Sequence, residues 1–111
     1  MIYSLNAPMF DLLVLAVISQ GDAYGYQISQ VIKQASNTKD STLYPILRRL
    51  QENKYVITYD LQYQGRNRKY YSITPQGRTH YEMLKKEWKE FTGIIDNILK
   101  GGCDNDENGI S

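Results

Sequence analysis

The chain has 111 residues, which suffices for one compact domain and is too short for two. Lys and Arg number 13 and Asp and Glu number 12, so the formal net charge is +1. This balance conceals a segregation, because residues 1–32 hold two acids and no base, residues 33–100 hold all 13 bases with seven acids, and residues 101–111 hold three acids.

The composition argues against several classes of protein. The first cation is Lys33, so the early basic region of a secretory or transit peptide is missing from this sequence. The longest apolar run, Leu12 to Ile18, has seven residues, whereas a bilayer span needs roughly 20. Cys103 is the only cysteine and His80 the only histidine, which argues against a disulfide, a metal site, a cofactor and nucleophilic catalysis. We therefore expect a cytoplasmic protein that is neither an enzyme nor a membrane binder.

The first predicted helix begins after Asn6, which can cap it, with Pro8 suited to its first turn. From Met9 to Ser19 the sequence is apolar nearly all round and is broken only by Asp11. A helix of this kind must be covered on more than one side. So short a chain has few elements to provide that cover, and we expect a second subunit to supply part of it.

Two further helices are predicted from their apolar periodicity. The second runs from Ala23 to Ala35 and buries one face, and the third runs from Ser41 to Asn53 after a cap at Asp40 or Ser41. Leu43, Ile46, Leu47 and Leu50 form the apolar side of the third helix. The opposite side and its flank carry hydroxyls, a tyrosine and two arginines: Ser41, Thr42, Tyr44, Pro45, Arg48, Arg49 and Glu52.

A β-hairpin follows the third helix. Ile57, Tyr59, Leu61 and Tyr63 alternate with polar residues, a period typical of a half-buried strand. The segment from Gln64 to Asn67 is a predicted turn, and residues 68–74 form the return strand. The tip of this hairpin is basic, with Arg66, Arg68 and Lys69.

The last helix is predicted from Pro75 to Lys100, with Thr74 as its cap. Apolar residues are spaced three and four apart along it, an a/d heptad seam. Because no other helix in the chain carries a matching long seam, we predict a homodimer in which this helix packs against its symmetry mate, against the first helix of the partner, or both. Its interface is expected to include Leu84, Trp88, Phe91, Ile95 and Ile98.

This order of elements is that of a mainly α winged helix-turn-helix (three helices plus a two-stranded β-wing) followed by a dimerisation helix. We predict a DNA-binding domain over residues 1–74, the dimerisation helix over 75–100 and a disordered tail over 101–111. In such a module the third helix enters the major groove and the hairpin lies along the neighbouring backbone. The predicted DNA contacts are Lys39, Ser41, Thr42, Tyr44, Pro45, Arg48, Arg49, Arg66, Arg68 and Lys69.

Plainer interpretations of these residues remain open. The outward side of the third helix can be a solvated face, and cations at a hairpin tip can serve to keep an exposed edge soluble. A winged-helix dimer that binds another protein and not DNA is the alternative function. The local excess of base over residues 39–78, eight bases against three acids, favours DNA.

Three segments, GDAYGYQI (residues 21–28), TLYPILRRL (42–50) and RKYYSITPQG (68–77), resemble the PadR family of bacterial transcriptional regulators. The similarity covers about Asn6 to Lys100, and the short C-terminal part resembles the compact subfamily. The resemblance implies a homodimeric winged-helix repressor. It also implies that the repressor binds a palindromic operator in double-stranded DNA and releases it when a small molecule binds.

The segment WKEFTGIIDNIL (residues 88–99) is similar to multidrug-responsive members of that subfamily, in which the two Trp residues of the dimer sandwich a flat aromatic drug. The resemblance implies a small planar aromatic effector at Trp88. Thr92 stands where those members have an acid, and Lys85 where they have an aromatic residue, which weakens the case for cationic drugs. Because Trp88 falls on the heptad seam, it can equally be a core residue of the dimer.

Overall fold

The computed structural model describes residues 5–101. In chain order the elements are α1 (Ala7–Ser19), β1 (Ala23–Tyr24), α2 (Gly25–Ala35), α3 (Asp40–Glu52), β2 (Val56–Tyr63), β3 (Arg66–Ile73) and α4 (Pro75–Leu99). Three helices, a β-wing and a long C-terminal helix confirm the predicted fold class. The tail predicted beyond Gly101 lies outside the described residues.

The starts of α1 and α4 follow the capping signals in the sequence. The side chain of Asn6 accepts a hydrogen bond from the backbone N–H of Met9 at 3.1 Å, and that of Thr74 accepts one from Gly77 at 2.9 Å. Both helices have a proline in their first turn, where the missing N–H has no intrahelical partner in any case.

The core lies where α1, α2 and α3 meet the base of the sheet and the first half of α4. All four residues of the predicted apolar side of α3 are buried in it, as are Val14, Leu15 and Ile18 of α1. Burying each such aliphatic side chain contributes about 1.5–3 kcal/mol before the cost of ordering the chain. The apolar side of α3 is thereby fixed inward, and its polar side outward.

The sheet has three antiparallel strands in the order β1-β3-β2. The prediction that Ala23 begins the second helix is wrong, because Ala23 and Tyr24 are extended and pair with Tyr71 and Tyr70. The helix begins at Gly25, and the backbone N–H of Tyr24 donates to the Gln27 side chain at 3.1 Å. The wing therefore has a short third strand that ties it to α2.

The hairpin turn is tighter than predicted. Tyr63 pairs directly with Arg66, so only Gln64 and Gly65 form the turn, with φ of 50° and 75°. Positive φ at both central residues is typical of a two-residue type I′ turn, whose twist matches that of the strands.

This turn fixes the register and hence the two faces of the wing. The outer face carries Tyr24, Ile57, Tyr59, Leu61, Tyr63, Arg66, Arg68, Tyr70 and Ser72, whereas the inner face carries Val56, Thr58, Asp60, Gln62, Asn67, Lys69, Tyr71 and Ile73. Val56 and Tyr71 are buried in the core, but Ile57 is 56% exposed. The alternation predicted for β2 is present, and its more apolar side is the one that faces away from the core.

The first turn of α4 packs closely on the chain just before β2. A Cβ on Gly77 would lie 2.0 Å from the carbonyl oxygen of Tyr55, so only glycine fits there. That oxygen accepts a hydrogen bond from the Thr74 N–H at 3.0 Å, and the Thr74 hydroxyl donates to the carbonyl of Lys54 at 2.7 Å. These contacts fix the start of α4 to the root of the wing.

The first half of α4 packs against α1 and the second half extends beyond the core. Leu84 is buried, whereas Phe91, Ile94, Ile95, Ile98 and Leu99 are exposed. No helix within residues 5–101 is long and apolar enough to cross a membrane.

Candidate nucleic-acid interface

The outward side of α3 is the first part of the candidate interface. Ser41, Thr42, Tyr44, Pro45 and Arg48 are exposed there, beside Lys39 at the N-cap. The structure thus brings together six of the ten predicted DNA contacts on one helix and its cap. A helix face with hydroxyls, a tyrosine and an arginine offers both hydrogen-bond donors and acceptors to the edges of bases.

The ring of Tyr44 packs over the start of α2. A Cβ on Gly25 would lie 3.1 Å from a ring carbon of Tyr44, so the glycine makes room for this contact. Tyr44 is nevertheless 45% exposed. One edge of the ring is therefore fixed by α2 while the rest remains open to a ligand.

Polar contacts at the beginning of α3 hold it against α2. The carboxylate of Asp40 accepts a hydrogen bond from the Ser29 hydroxyl at 2.7 Å and lies 3.6 Å from the ammonium of Lys33. Ser29 is buried and makes this contact from the middle of α2. The angle between the two helices of the helix-turn-helix is thereby fixed near the residues that point outward.

Arg49 is placed differently from the other predicted contacts of α3. Its guanidinium forms an ion pair with Asp11 of α1, whose side chain is 15% exposed. Burial raises the pKa of the Asp11 carboxyl, and the attraction of Arg49 only partly opposes that effect. Contact between Arg49 and DNA stays a prediction. Within residues 5–101, Arg49 pairs with Asp11.

The inner face of the wing adjoins the outward side of α3. Burial, and secondarily the nearby Tyr44, raises the pKa of Tyr71, with Arg48 acting in the opposite direction. The ammonium of Lys69 lies 5.7 Å from the centre of the Tyr71 ring. The Gln51 side chain of α3 donates a hydrogen bond to the Thr58 hydroxyl at 3.4 Å, and Thr58 shares the inner face of the wing with Lys69. Lys69 therefore lies on the face of the wing that meets α3.

The other two wing cations, Arg66 and Arg68, belong to the outer face. The guanidinium of Arg68 lies between two tyrosine rings, 4.4 Å from the centre of Tyr24 and 4.1 Å from that of Tyr63. The sequence interpretation missed both tyrosines as partners of Arg68. A two-residue turn at Gln64 and Gly65 would have revealed the register, and with it the face that each cation occupies.

A second candidate site is the open groove between α1 and the middle of α4. Trp88 is 39% exposed and its ring centre lies 6.2 Å from that of Phe91, with the planes tilted by 42°. Pro8, Met9 and Leu12 line the α1 side of the groove, and Glu87 lies beside Trp88 on the α4 side. Glu87 was not singled out in the sequence, and it supplies a carboxylate to a groove that is otherwise largely apolar.

The predicted dimer seam divides into two parts. Leu84 is already 9% exposed within its own chain, in contact with the core shared with α1. Trp88, Phe91, Ile95 and Ile98 form an exposed apolar stripe along the second half of α4. A stripe of this kind is an unusual surface for a monomer.

His80 stacks on Tyr55, with ring centres 4.2 Å apart and planes 7° from parallel. Within residues 5–101 no three His, Cys, Asp or Glu side chains are grouped so as to hold a metal ion. His80 therefore has a packing role at the base of α4.

Comparison with known proteins finds similar sequences and similar folds. Residues 14–83 match the transcriptional regulator PadR-like family. An uncharacterized protein of Lysinibacillus sphaericus is 38% identical over 97 residues, covering 82% of this chain and 88% of its own.

Two solved structures show the same fold over most of the chain. A crystal structure of a protein from Streptococcus mutans UA159 has 44% identity and a TM-score of 0.90, covering 96% of this chain and 100% of its own. A PadR family transcription regulator from Clostridium difficile R20291 has 29% identity and a TM-score of 0.75, covering 81% and 97%.

Proposed function

The chain belongs to the PadR-like family of transcriptional regulators, and we propose that it works as a homodimeric repressor that binds a palindromic operator and releases it when a small molecule binds. One observation carries the proposal of the DNA face. The exposed side of α3 carries Tyr44 and Arg48. The inner face of the wing, which carries Lys69, lies beside α3, where the Gln51 side chain donates a hydrogen bond to the Thr58 hydroxyl at 3.4 Å. The exposed side of α3 can enter the major groove of DNA while the basic hairpin contacts the phosphate backbone beside it.

Within this interface the roles follow from side-chain chemistry. Arg48 can donate two hydrogen bonds to the O6 and N7 atoms of guanine, and Tyr44 can pack against bases or sugars beside it. Ser41 and Thr42 stand in the first turn of α3, where hydroxyls and backbone N–H groups together bind phosphate. Lys69 adds a phosphate contact from the wing, whose strength depends on salt and not on sequence.

The homodimer is supported by the exposed stripe on the second half of α4. Burying Phe91, Ile95 and Ile98 against a second copy removes apolar surface that the single chain leaves in water. Two-fold symmetry then places two α3 helices on one face of DNA. Their spacing must be about 34 Å, one turn of the double helix, to enter successive major grooves.

The effector is proposed to bind in the groove with Trp88. A planar aromatic molecule can stack on the indole, and Glu87 can pair with a positive group on such a molecule. Release of DNA requires that the ligand bind one arrangement of the dimer more tightly than the other, since equal affinity shifts nothing. The plainer role for Trp88 is packing within the dimer seam.

Selection of bound duplexes from a random pool tests the function directly. We expect enrichment of a two-fold symmetric site with the wild-type protein, and loss of that enrichment with Arg48→Ala. Lys89→Ala is the matched control, because it removes an exposed cation from α4, away from the DNA face. A pool that shows no enrichment and no salt-dependent binding would overturn the proposal and favour a protein-binding module.

A further inference from the structure

The outer face of the wing holds a cation that is enclosed by aromatic rings. Arg68 is half-buried, and its guanidinium stacks between Tyr24 and Tyr63 at 4.4 and 4.1 Å from the ring centres. Tyr24 belongs to β1 and precedes α2, whereas Tyr63 ends β2 beside the turn. Arg68 therefore bridges the body of the domain and the tip of the wing.

Neighbouring contacts extend this bridge along the outer face. Tyr70 meets Tyr24 edge-on, with ring centres 5.4 Å apart, and stacks on Tyr59 at 5.6 Å. The Tyr59 hydroxyl donates a hydrogen bond to Asp22 at 2.6 Å, which raises the pKa of Tyr59. The rings therefore contact one another and Arg68, and together they connect β1 with both strands of the hairpin.

The inner face of the wing is the side toward α3. Successive side chains of a strand point to opposite faces, so Lys69 faces the Tyr71 side while Arg68 faces away from it. Of the two adjacent cations, Lys69 is therefore the one on the side of α3, where it lies across the strands from Asp60. Arg68 and Lys69 are adjacent basic residues in the sequence, but their side chains occupy different environments on opposite faces of the wing.

We infer that Arg68 is a positioning residue for DNA binding, clamped by Tyr24 and Tyr63 so that the wing holds Lys69 against the phosphate backbone. This inference rests on the proposed function. A guanidinium suits the task because it is planar, weakly hydrated and able to stack on both sides, whereas a lysine ammonium is a compact and strongly hydrated charge. The clamp also joins the end of β2 to β1.

Fluorescence anisotropy over a salt series tests the inference. The ligand is a fluorescein-labelled, mixed-sequence duplex of about 30 base pairs, which is long enough for two half-sites about 10 base pairs apart. In the dimer Lys69→Gln removes two phosphate contacts, one from each wing. The slope of log K against log salt should become shallower by about 1.8, and affinity at about 0.1 M salt should fall roughly sixtyfold.

Three variants that change no charge separate positioning from contact. Tyr63→Ala should reproduce the shallower slope of Lys69→Gln, because the freed wing no longer holds Lys69 in place, and Tyr63→Phe should keep the wild-type slope. Arg68→Lys should behave like Tyr63→Ala although it retains the positive charge. Ile57→Ala is the control, since it truncates an equally exposed residue of the same strand and face outside the clamp.

The outcomes are distinct. A wild-type slope for Arg68→Lys together with a shallower one for Arg68→Gln would make Arg68 a direct phosphate contact and overturn the inference. A wild-type slope for Tyr63→Ala would overturn it as well.

If the wild-type protein binds no DNA, that result overturns the proposed function and leaves the clamp to be tested separately. NMR without DNA then tests the clamp alone: the Arg68 side-chain protons should be shifted upfield by both rings and return in Tyr63→Ala, and unshifted protons would show that the clamp is absent.

Discussion

Asp11 of α1 and Arg49 of α3 form an ion pair, although the two residues are 38 positions apart in the chain. The pair joins the helix that lines the Trp88 groove to the helix that carries the proposed DNA face. Asp11 is the one charge in α1, and in the folded protein it is largely covered. Removing the Asp11 carboxylate should therefore change both the stability of the protein and the orientation of α3.

Replacing Asp11 by Ala should lower the free energy of unfolding by about 1–3 kcal/mol, because a partly covered guanidinium loses its partner. The lower half of that range is expected, since Arg49 is 42% exposed and water can reach it. Urea unfolding followed by circular dichroism measures the change. Asp96→Ala, on an exposed part of α4, is the control and should stay within about 0.5 kcal/mol of wild type. Equal stability of the two variants would show that the ion pair contributes nothing.

The pH dependence of the same residue has a definite sign. Burial raises the pKa of Asp11 above its ordinary value of 3.8, despite Arg49 and His80. The folded state therefore binds this proton more tightly than the unfolded state, and the stability gained is present below pH 3.8 and is lost as pH rises through the raised pKa. Urea unfolding of wild type and Asp11→Asn over acidic pH checks this. The stability of wild type relative to the variant should fall as pH increases, and a rise would mean that Arg49 dominates.

Gly77→Ala should destabilise the protein by roughly 3 kcal/mol, at the upper end of the usual cost of overpacking. The new Cβ would lie 2.0 Å from a backbone oxygen, which has no flexible end to move aside. Gly93→Ala on the same helix meets nothing within 4 Å in the single chain. It should gain about 0.5–1 kcal/mol from helix propensity. Thermal melts of both variants compare the two sites, and equal melting temperatures would contradict the close contact.

Arg48→Ala should weaken binding to a selected operator by about 1–3 kcal/mol if the guanidinium reads a base. Binding to mixed-sequence DNA should change less, because that affinity comes mainly from phosphate contacts. Gel shifts with both duplexes measure the difference. Undiminished operator affinity would remove Arg48 from the interface.

Trp88 is the only tryptophan, so its emission reports directly on the groove. A planar aromatic compound that releases DNA should change that emission on binding. Trp88→Leu removes this emission, so its binding is measured by isothermal titration calorimetry; it should bind the compound about tenfold more weakly than wild type, because it loses a stacking partner. Sedimentation of the same variant separates the two roles. A variant that stays dimeric but ignores the compound supports a ligand contact, whereas loss of the dimer with normal compound binding supports seam packing alone.

Local signals in the sequence predicted most of the fold. Asn6 and the Thr74-Pro75 pair marked two helix starts because capping depends on neighbouring residues only. Helical periodicity predicted which side of α3 faces inward, because Leu43, Leu47 and Leu50 lie on one side of the helix. All three are buried in the structure. What remained hidden depends on distant parts of the chain.

Three features illustrate that limit. Tyr24 is extended only because Tyr70 pairs with it from the other end of the domain. The alternation in β2 predicted a strand but not which side the core would cover, and Val56 occupies the covered side. The partners of Arg68 and Arg49 were invisible for the same reason, as one needed the register of the hairpin and the other the packing of α1 on α3.

The close contact between Gly77 and the Tyr55 carbonyl gives α4 the mechanics of a lever. The helix has 25 residues, which at 1.5 Å each make an arm of about 37 Å. With the fulcrum at the root of the wing, a tilt of about 5° displaces the far end by about 3 Å over that length. Movements at the far end of α4, where we propose that two copies meet, would thus become much smaller displacements where β2 begins.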